Sequence, residues 1–147
     1  VSDGMLPLNE NLICLDVEAK TPVEAIRKAG ALLMDEGKVE ERYVDAMVEG
    51  FNEFGPYMAV APSIAIPHAR PEQGVLEQSL ALIRLKNPVF FGHHSNDPIK
   101  LVCAVCGTDG SSHTEILQSL AAVLRDRAKL EMIMQAKTKA DIMSILF

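Results

Sequence analysis

The chain has 147 residues, 48% hydrophobic and 23% charged, which suits one compact domain burying roughly 70% of its unfolded surface and excludes disordered and collagen-like classes. A formal charge of −6, from 20 acidic against 14 basic residues, comes without the Lys/Arg block that a nucleic-acid partner requires. No apolar run approaches the roughly 20 residues that cross a bilayer, and no basic stretch precedes an apolar one near the start, so a cytoplasmic protein is expected.

In chain order, residues 1–4 stand ahead of Met5 as a vector-derived scar or a native extension, and a single domain is expected over 1–147. Thr21-Pro22-Val23-Glu24 is a strong helix start: Thr caps, Pro fits the first turn and Glu closes a capping box. That helix should run to about Glu36 and stop at Gly37. A second helix is expected from about Val39 to Asn52, with Val44, Met47, Val48 and Phe51 at helical spacing on its core face, ended by Gly55-Pro56.

Strand-like segments follow at Ser63 to Ile66, Ser79 to Leu85 and Ile99 to Cys106, with a shorter one around Val89 to Phe91. Their near-continuous hydrophobicity implies a sheet covered on both faces. Beyond Gly107-Thr108-Asp109-Gly110, the run Ser112-His113-Thr114-Glu115 has the spacing of another capping box. It opens a helix carrying Ile116, Leu117, Leu120, Val123 and Leu124 on one face. Thr138-Lys139-Ala140-Asp141 starts a last short helix. The expected fold is α/β: a mixed β-sheet flanked by α-helices on both faces.

The chemistry rests on the histidines at 68, 93, 94 and 113. A metal site lacks any H-x-x-x-H pair, and adjacent side chains such as His93 and His94 are expected to diverge, in a polar loop that suits a solvent-exposed turn. A hydrolase lacks the nucleophile elbow G-x-S-x-G, and none of Cys14, Cys103 and Cys106 sits by a glycine-rich turn that serves a nucleophile. The C-x-x-C spacing of Cys103 and Cys106 invites a redox or zinc reading, but a strand sends residues three apart to opposite faces, which favours small buried hydrophobes. A third reading makes His68 itself the nucleophile. In Ile64-Ala65-Ile66-Pro67-His68-Ala69-Arg70-Pro71 the first proline breaks a strand and the second stiffens the exit, which leaves an imidazole at the sheet edge facing out. A phosphoryl group on that ring brings about −1.5 to −2 of charge. Arg70 and the helix start at Ser112, with His113 on its first turn, are the available donors.

Glu53, Val60-Ala61 and the run from Ile64 to His68 resemble the active-site signature of the mannitol/fructose-type enzyme IIA domains of the bacterial sugar phosphotransferase system. The resemblance extends to the two opening helices, the strand LVCAVCG and His113. The segments GPYMAVAPSIAIPHARPEQGV and FGHHSNDPIKL are most similar to the branch specific for ascorbate or related sugar acids and pentitols. The mannitol and nitrogen-related branches carry Arg-Glu where this chain has Asn52-Glu53, and Ser-Thr where it has Pro56-Tyr57. The lost arginine leaves Arg70 as the candidate replacement.

The resemblance implies a phosphotransferase that works as a phosphocarrier without metal, nucleotide or other cofactor. His68 accepts a phosphoryl group on Nε2 from phospho-HPr, with Nδ1 held by a backbone carbonyl. It then passes the group in line to a cysteine of enzyme IIB, while His113 stabilises it. The membrane component IIC is then involved only indirectly. Pro62, Ile66, Pro71, Val75 and Met58 are candidates for an apolar docking surface. The alternative is a regulatory module of the same fold, reporting phosphorylation state to a transcription factor or kinase.

Overall fold

Aliphatic runs set the sheet, and the helices between them cover it. The computed structural model describes residues 6–147, so the expectation for residues 1–4 lies outside the described residues. The elements run β1 (Ile13–Val17), α1 (Pro22–Asp35), α2 (Glu41–Phe54), β2 (Ala59–Ala61), β3 (Ile64–Ala65), β4 (Ser79–Val89), β5 (Ile99–Cys106), α3 (Gly110–Arg125), α4 (Arg127–Gln135) and α5 (Lys139–Leu146). The five strands form one mixed sheet in the order β1-β4-β5-β3-β2. β1 is parallel to β4 and β3 to β5, while β4 with β5 and β2 with β3 are antiparallel.

Every residue of β5 except Lys100 is buried, as is β4 from Ser79 to Leu85. Side chains alternate faces along a strand, so continuous burial means that both faces are covered. α1 packs on β4, β5 and α2, whereas α3 packs on β5, α5 on β1, and α4 bridges α3 and α5. Buried Arg84 points its guanidinium at the end of α4, where Nη1 donates to the carbonyls of Ile133 (2.8 Å) and Met134 (3.3 Å). A cation at a helix C-terminus meets the negative end of the dipole and satisfies carbonyls that have no helical partner.

Thr21 caps α1 as expected, its hydroxyl accepting from Glu24 N–H at 3.1 Å. α2 begins later than the periodicity suggests because Val39 is taken into a bridge with Val75, and Glu40 N–H bonds Gly74 carbonyl at 2.8 Å. The expected strand over Ser63 to Ile66 shrinks to Ile64–Ala65, since Ser63 sits in a turn at φ 68°. The segment near Val89 is the end of β4, which reaches its partner through an irregular stretch between Arg84 and Val89. β1 and β2 escape the sequence pattern, being short and without clear alternation. The helix expected to open at Ser112 opens at Gly110 instead. Asp109 is its cap, accepting from Ser112 N–H at 2.8 Å, while Ser112 Oγ accepts in return from Asp109 N–H at 3.2 Å.

Gly107 joins β5 to that helix under a tight constraint. A Cβ at this position would lie 2.5 Å from both Cα and N of His113. Only a residue without a side chain lets the first turn of α3 approach the strand end so closely. Gly110, by contrast, has nothing within 4 Å of such a carbon. Gly107→Ala should therefore lower the unfolding free energy by roughly 1–3 kcal/mol, the usual cost of overpacking, whereas Gly110→Ala should raise it by about 0.4–1 kcal/mol. Urea denaturation of the two variants checks the pair; equal effects would remove the steric account of Gly107.

Candidate active site

Two neighbouring parallel strands end side by side; His68 follows soon after β3, and His113 lies in the first turn of α3, which Gly107 joins to the end of β5. Ile64 pairs with Leu101 and Ala65 with Val102, and the pairing continues as Val105 N–H donates to Pro67 carbonyl at 3.0 Å. Pro67 has no N–H to offer the ladder, but its carbonyl is used. His68 is therefore held at the carboxyl end of an interior strand, with β2 rather than β3 at the sheet edge, and it is half-buried instead of facing fully out. Crevices at the carboxyl ends of parallel strands are the usual place for ligand chemistry in α/β sheets.

His68 Nδ1 lies 2.9 Å from Ile66 carbonyl. A carbonyl only accepts, so Nδ1 carries the ring proton and Nε2 keeps a free lone pair. Nε2 has no protein partner among the described residues and is not sealed from solvent. The ring of His113 stands 5.1 Å from that of His68, tilted by 55°. Its Nδ1 is buried without a hydrogen-bond partner. Sealing an N–H there is the costlier alternative, which puts the proton of the neutral ring on Nε2 at the open side. Burial, and secondarily the neighbouring His68, hold His113 below the ordinary imidazole pKa. Both disfavour a second positive charge in the unloaded site.

Tyr57 flanks His68 edge-on, with ring centroids 6.0 Å apart at 81°, and its hydroxyl donates weakly to His68 carbonyl at 3.4 Å. Phe54 stands edge-on to Tyr57 at 6.3 Å. A Cβ on Gly50 would come within 3.1 Å of the Tyr57 hydroxyl. These groups border an open cleft of about 610 Å³ into which Glu49, Glu53, Arg70 and both histidines face. Arg70 thus lines the same cleft as both histidines. Its backbone is fixed by the bond from its N–H to Gln73 Oε1 at 2.8 Å, and its exposed guanidinium makes no ion pair among the described residues.

The anion site expected at the helix start is changed by the shift of the cap. Asp109 carboxylate already accepts from Ser112 N–H, and His113 N–H is used by Asp109 carbonyl at 3.0 Å. That hydrogen bonding also holds Asp109 below the usual carboxylate range, so a negative charge occupies the positive end of the helix. What α3 offers the cleft is the His113 ring. His93 and His94 do not line the cleft: their rings stack on each other at 5.3 Å, and His93 Nδ1 accepts from Ser95 and Asn96 N–H. Burial pushes the Cys103 and Cys106 thiols up to about 12. Among the described residues no cluster of three or more His, Cys, Asp or Glu is placed to hold a metal ion.

Of the expected docking residues, Pro62 is exposed and Pro71 and Val75 are half-buried, but Met58 and Ile66 belong to the core at 0% and 6% exposure. Met58 is locked there because its carbonyl receives Ile66 N–H at 2.8 Å, tying both to the sheet. The large exposed side chains beside the histidines are instead Phe54 and Tyr57, at 69% and 44%.

Residues 6–147 match the family model described as "Phosphoenolpyruvate-dependent sugar phosphotransferase system, EIIA 2". The ascorbate-specific PTS system EIIA component of Salmonella choleraesuis is 33% identical over 137 residues, covering 92% of this chain and 89% of that protein. The solution structure of the mannitol-specific cryptic phosphotransferase enzyme IIA CmtB from Escherichia coli superposes with TM-score 0.86 at 29% identity, covering 99% of this chain and 98% of that one. The mannitol enzyme IIA of Escherichia coli in complex with phosphorylated enzyme IIB gives TM-score 0.84 at 28% identity, covering 97% and 98%. With its paired histidines at the ends of β3 and β5, and a family match spanning every residue from 6 to 147, the chain belongs to the EIIA 2 family of the phosphoenolpyruvate-dependent sugar phosphotransferase system.

Proposed function

We propose that His68 is the phosphoryl acceptor of a phosphocarrier that serves uptake of ascorbate or a related sugar acid or pentitol on the cytoplasmic side of the membrane. The observation that carries this is the 2.9 Å contact of Nδ1 with Ile66 carbonyl, which leaves the Nε2 lone pair directed at the cleft. Nε2 attacks the phosphorus of phosphohistidine on HPr; an N–P bond forms, the N–P bond to HPr breaks, and the HPr imidazole leaves with the electron pair. A cysteine thiolate of enzyme IIB then attacks in line, an S–P bond forms, and Nε2 recovers its pair. Positioning and fixed donors supply the catalysis, with no cofactor in either step.

His113 donates from Nε2 to a phosphoryl oxygen, and the arriving negative charge favours its protonated form, reversing the bias of the empty site. Arg70, exposed and lining the same cleft, contributes a forked guanidinium. Because the cleft also presents Glu49 and Glu53, the phosphoryl group is held without being trapped, which suits a group destined to leave. The similarity to ascorbate-specific relatives over 92% of the chain supports the substrate class.

Incubation with phosphoenolpyruvate, enzyme I and HPr should place one acid-labile, alkali-stable phosphoryl group on His68, and His68→Ala should abolish it with the fold intact. Peptide mapping that finds the label on His93, His94 or a serine would refute the assignment. His113→Ala should still be loaded at His68 but should pass the group to IIB roughly 5- to 150-fold more slowly, the loss of about 1–3 kcal/mol of charge-assisted hydrogen bonding. Wild-type rates in both half-reactions would leave His113 without a role.

Proton titration followed by NMR separates the two causes acting on His113. Its midpoint should lie below the ordinary 6.5, move up in His68→Ala, and move further up when His68 is phosphorylated. Since its folded pKa is depressed, the unfolded chain binds the proton first as pH falls below 6.5. The stability that neutral His113 contributes is therefore complete above that pH and declines below it. A midpoint unmoved by phosphorylation would contradict the donor role.

A further inference from the structure

Tyr43, from α2, is fully buried at 0% exposure, yet its hydroxyl is occupied on both sides. Ala69 N–H donates to it at 3.0 Å, and it donates to Val105 carbonyl at 2.7 Å. Ala69 carbonyl lies farther off, at 3.3 Å. A phenol has one proton to give, and the shorter contact claims it. Burial also raises the Tyr43 pKa well above its ordinary value, so the hydroxyl keeps that proton.

The residue that receives the proton is the one that already holds the other side of His68. Val105 N–H donates to Pro67 carbonyl at 3.0 Å. Both polar groups of Val105 are thus tied to the chain around His68, directly to the residue before it and through the phenol to the residue after it. Val105 also leads into Gly107, against which the backbone of His113 packs. One strand end therefore sets the position of both rings, and the Tyr43 phenol is the side chain that ties Val105 to Ala69.

We propose that Tyr43 is a positioning residue for phosphoryl transfer, its hydroxyl bridging Ala69 and Val105 so that His68 is held at a fixed distance and angle from His113. This rests on the reading of His68 as the acceptor. Without the hydroxyl, the segment keeps its anchor at Pro67 and the weak 3.4 Å bond from the Tyr57 hydroxyl to His68 carbonyl but loses the anchor at Ala69, and His68 gains freedom to pivot. The half-buried Ala69 N–H and the buried Val105 carbonyl are then unpaired, and the segment relieves them by moving toward solvent. The Nδ1 contact with Ile66 carbonyl loosens with it.

The test is Tyr43→Phe, compared with Val48→Ala as a control that removes core volume from the same helix outside the network. Single-turnover transfer from phospho-HPr and to IIB is measured across partner concentrations, and imidazole nitrogen shifts of His68 are recorded by NMR in the unloaded protein. Tyr43→Phe should lower the saturated rate roughly 10- to 100-fold, as misplacement of a reacting group does, with the half-saturating concentration unchanged. Its His68 nitrogen shifts should move toward a mixture of tautomers. Val48→Ala should lose stability and keep wild-type rate and shifts. A Tyr43→Phe variant that behaves like the control, destabilised but with wild-type saturated rate and wild-type nitrogen shifts, would overturn the proposal. Label found away from His68 in the wild-type protein would instead count against His68 as the acceptor, and the nitrogen shifts would still report whether Tyr43 positions the ring.

Discussion

The parallel pairing of β3 with β5 is the constraint on which the rest depends. β3 has only two residues in the ladder, too few to be stable alone, and it persists because β5 on one side and β2 on the other satisfy its backbone. Parallel strands end on the same side of a sheet, so the chain leaving β3 and the chain leaving β5 emerge together. Everything chemical follows from what stands just past those ends. An antiparallel pairing at this point would have sent His68 and His113 to opposite ends of the sheet.

Electrostatics in the cleft are balanced rather than strongly positive. One guanidinium and one histidine that burial keeps neutral face two carboxylates, and the helix end that resembles an anion site is already filled by the chain's own Asp109. A tight phosphate receptor is built the other way, with several donors and cations converging on the anion. A carrier must release its group to the next nucleophile, and strong ground-state binding would raise that barrier as much as it stabilised the loaded form. What borders the cleft beside the histidines is an exposed Arg70 and the aromatic wall of Phe54 and Tyr57.

Much of this was legible in the sequence because its signals are local. The caps at Thr21 and Thr138, the apolar face of α2 and the continuous burial of β5 are written in runs of adjacent residues, and the proline on each side of the His68 segment announced an oriented imidazole. The losses are long-range. β1 and β2 are strands only because β4 and β3 pair with them. The cap of α3 moved because Asp109 and Ser112 satisfy each other better than Ser112 and Glu115, a competition that spacing cannot decide. Tyr43 sits one residue ahead of the apolar stripe, which marks it as core and says nothing of a hydroxyl bonded to two distant backbones. Met58 and Ile66 looked available for docking because they stand in the segment around His68, but the bond from Ile66 N–H to Met58 carbonyl holds both against the sheet in the core.

The buried cysteines bear on how the relay fails under oxidation. A thiol held protonated near pKa 12, as Cys103 and Cys106 are, is a poor nucleophile toward peroxide and toward disulfides, and the sheet also denies both reagents access. The acceptor proposed for enzyme IIB must instead expose a thiolate in order to receive the phosphoryl group. The remaining thiol, Cys14, is half-buried on β1 at the opposite edge of the sheet from β2, so among the described residues no cysteine lines the cleft that carries His68 to capture the other's sulfur in a mixed disulfide. Oxidative stress would then interrupt sugar uptake downstream of this protein, leaving the carrier loaded and intact until the acceptor is reduced again.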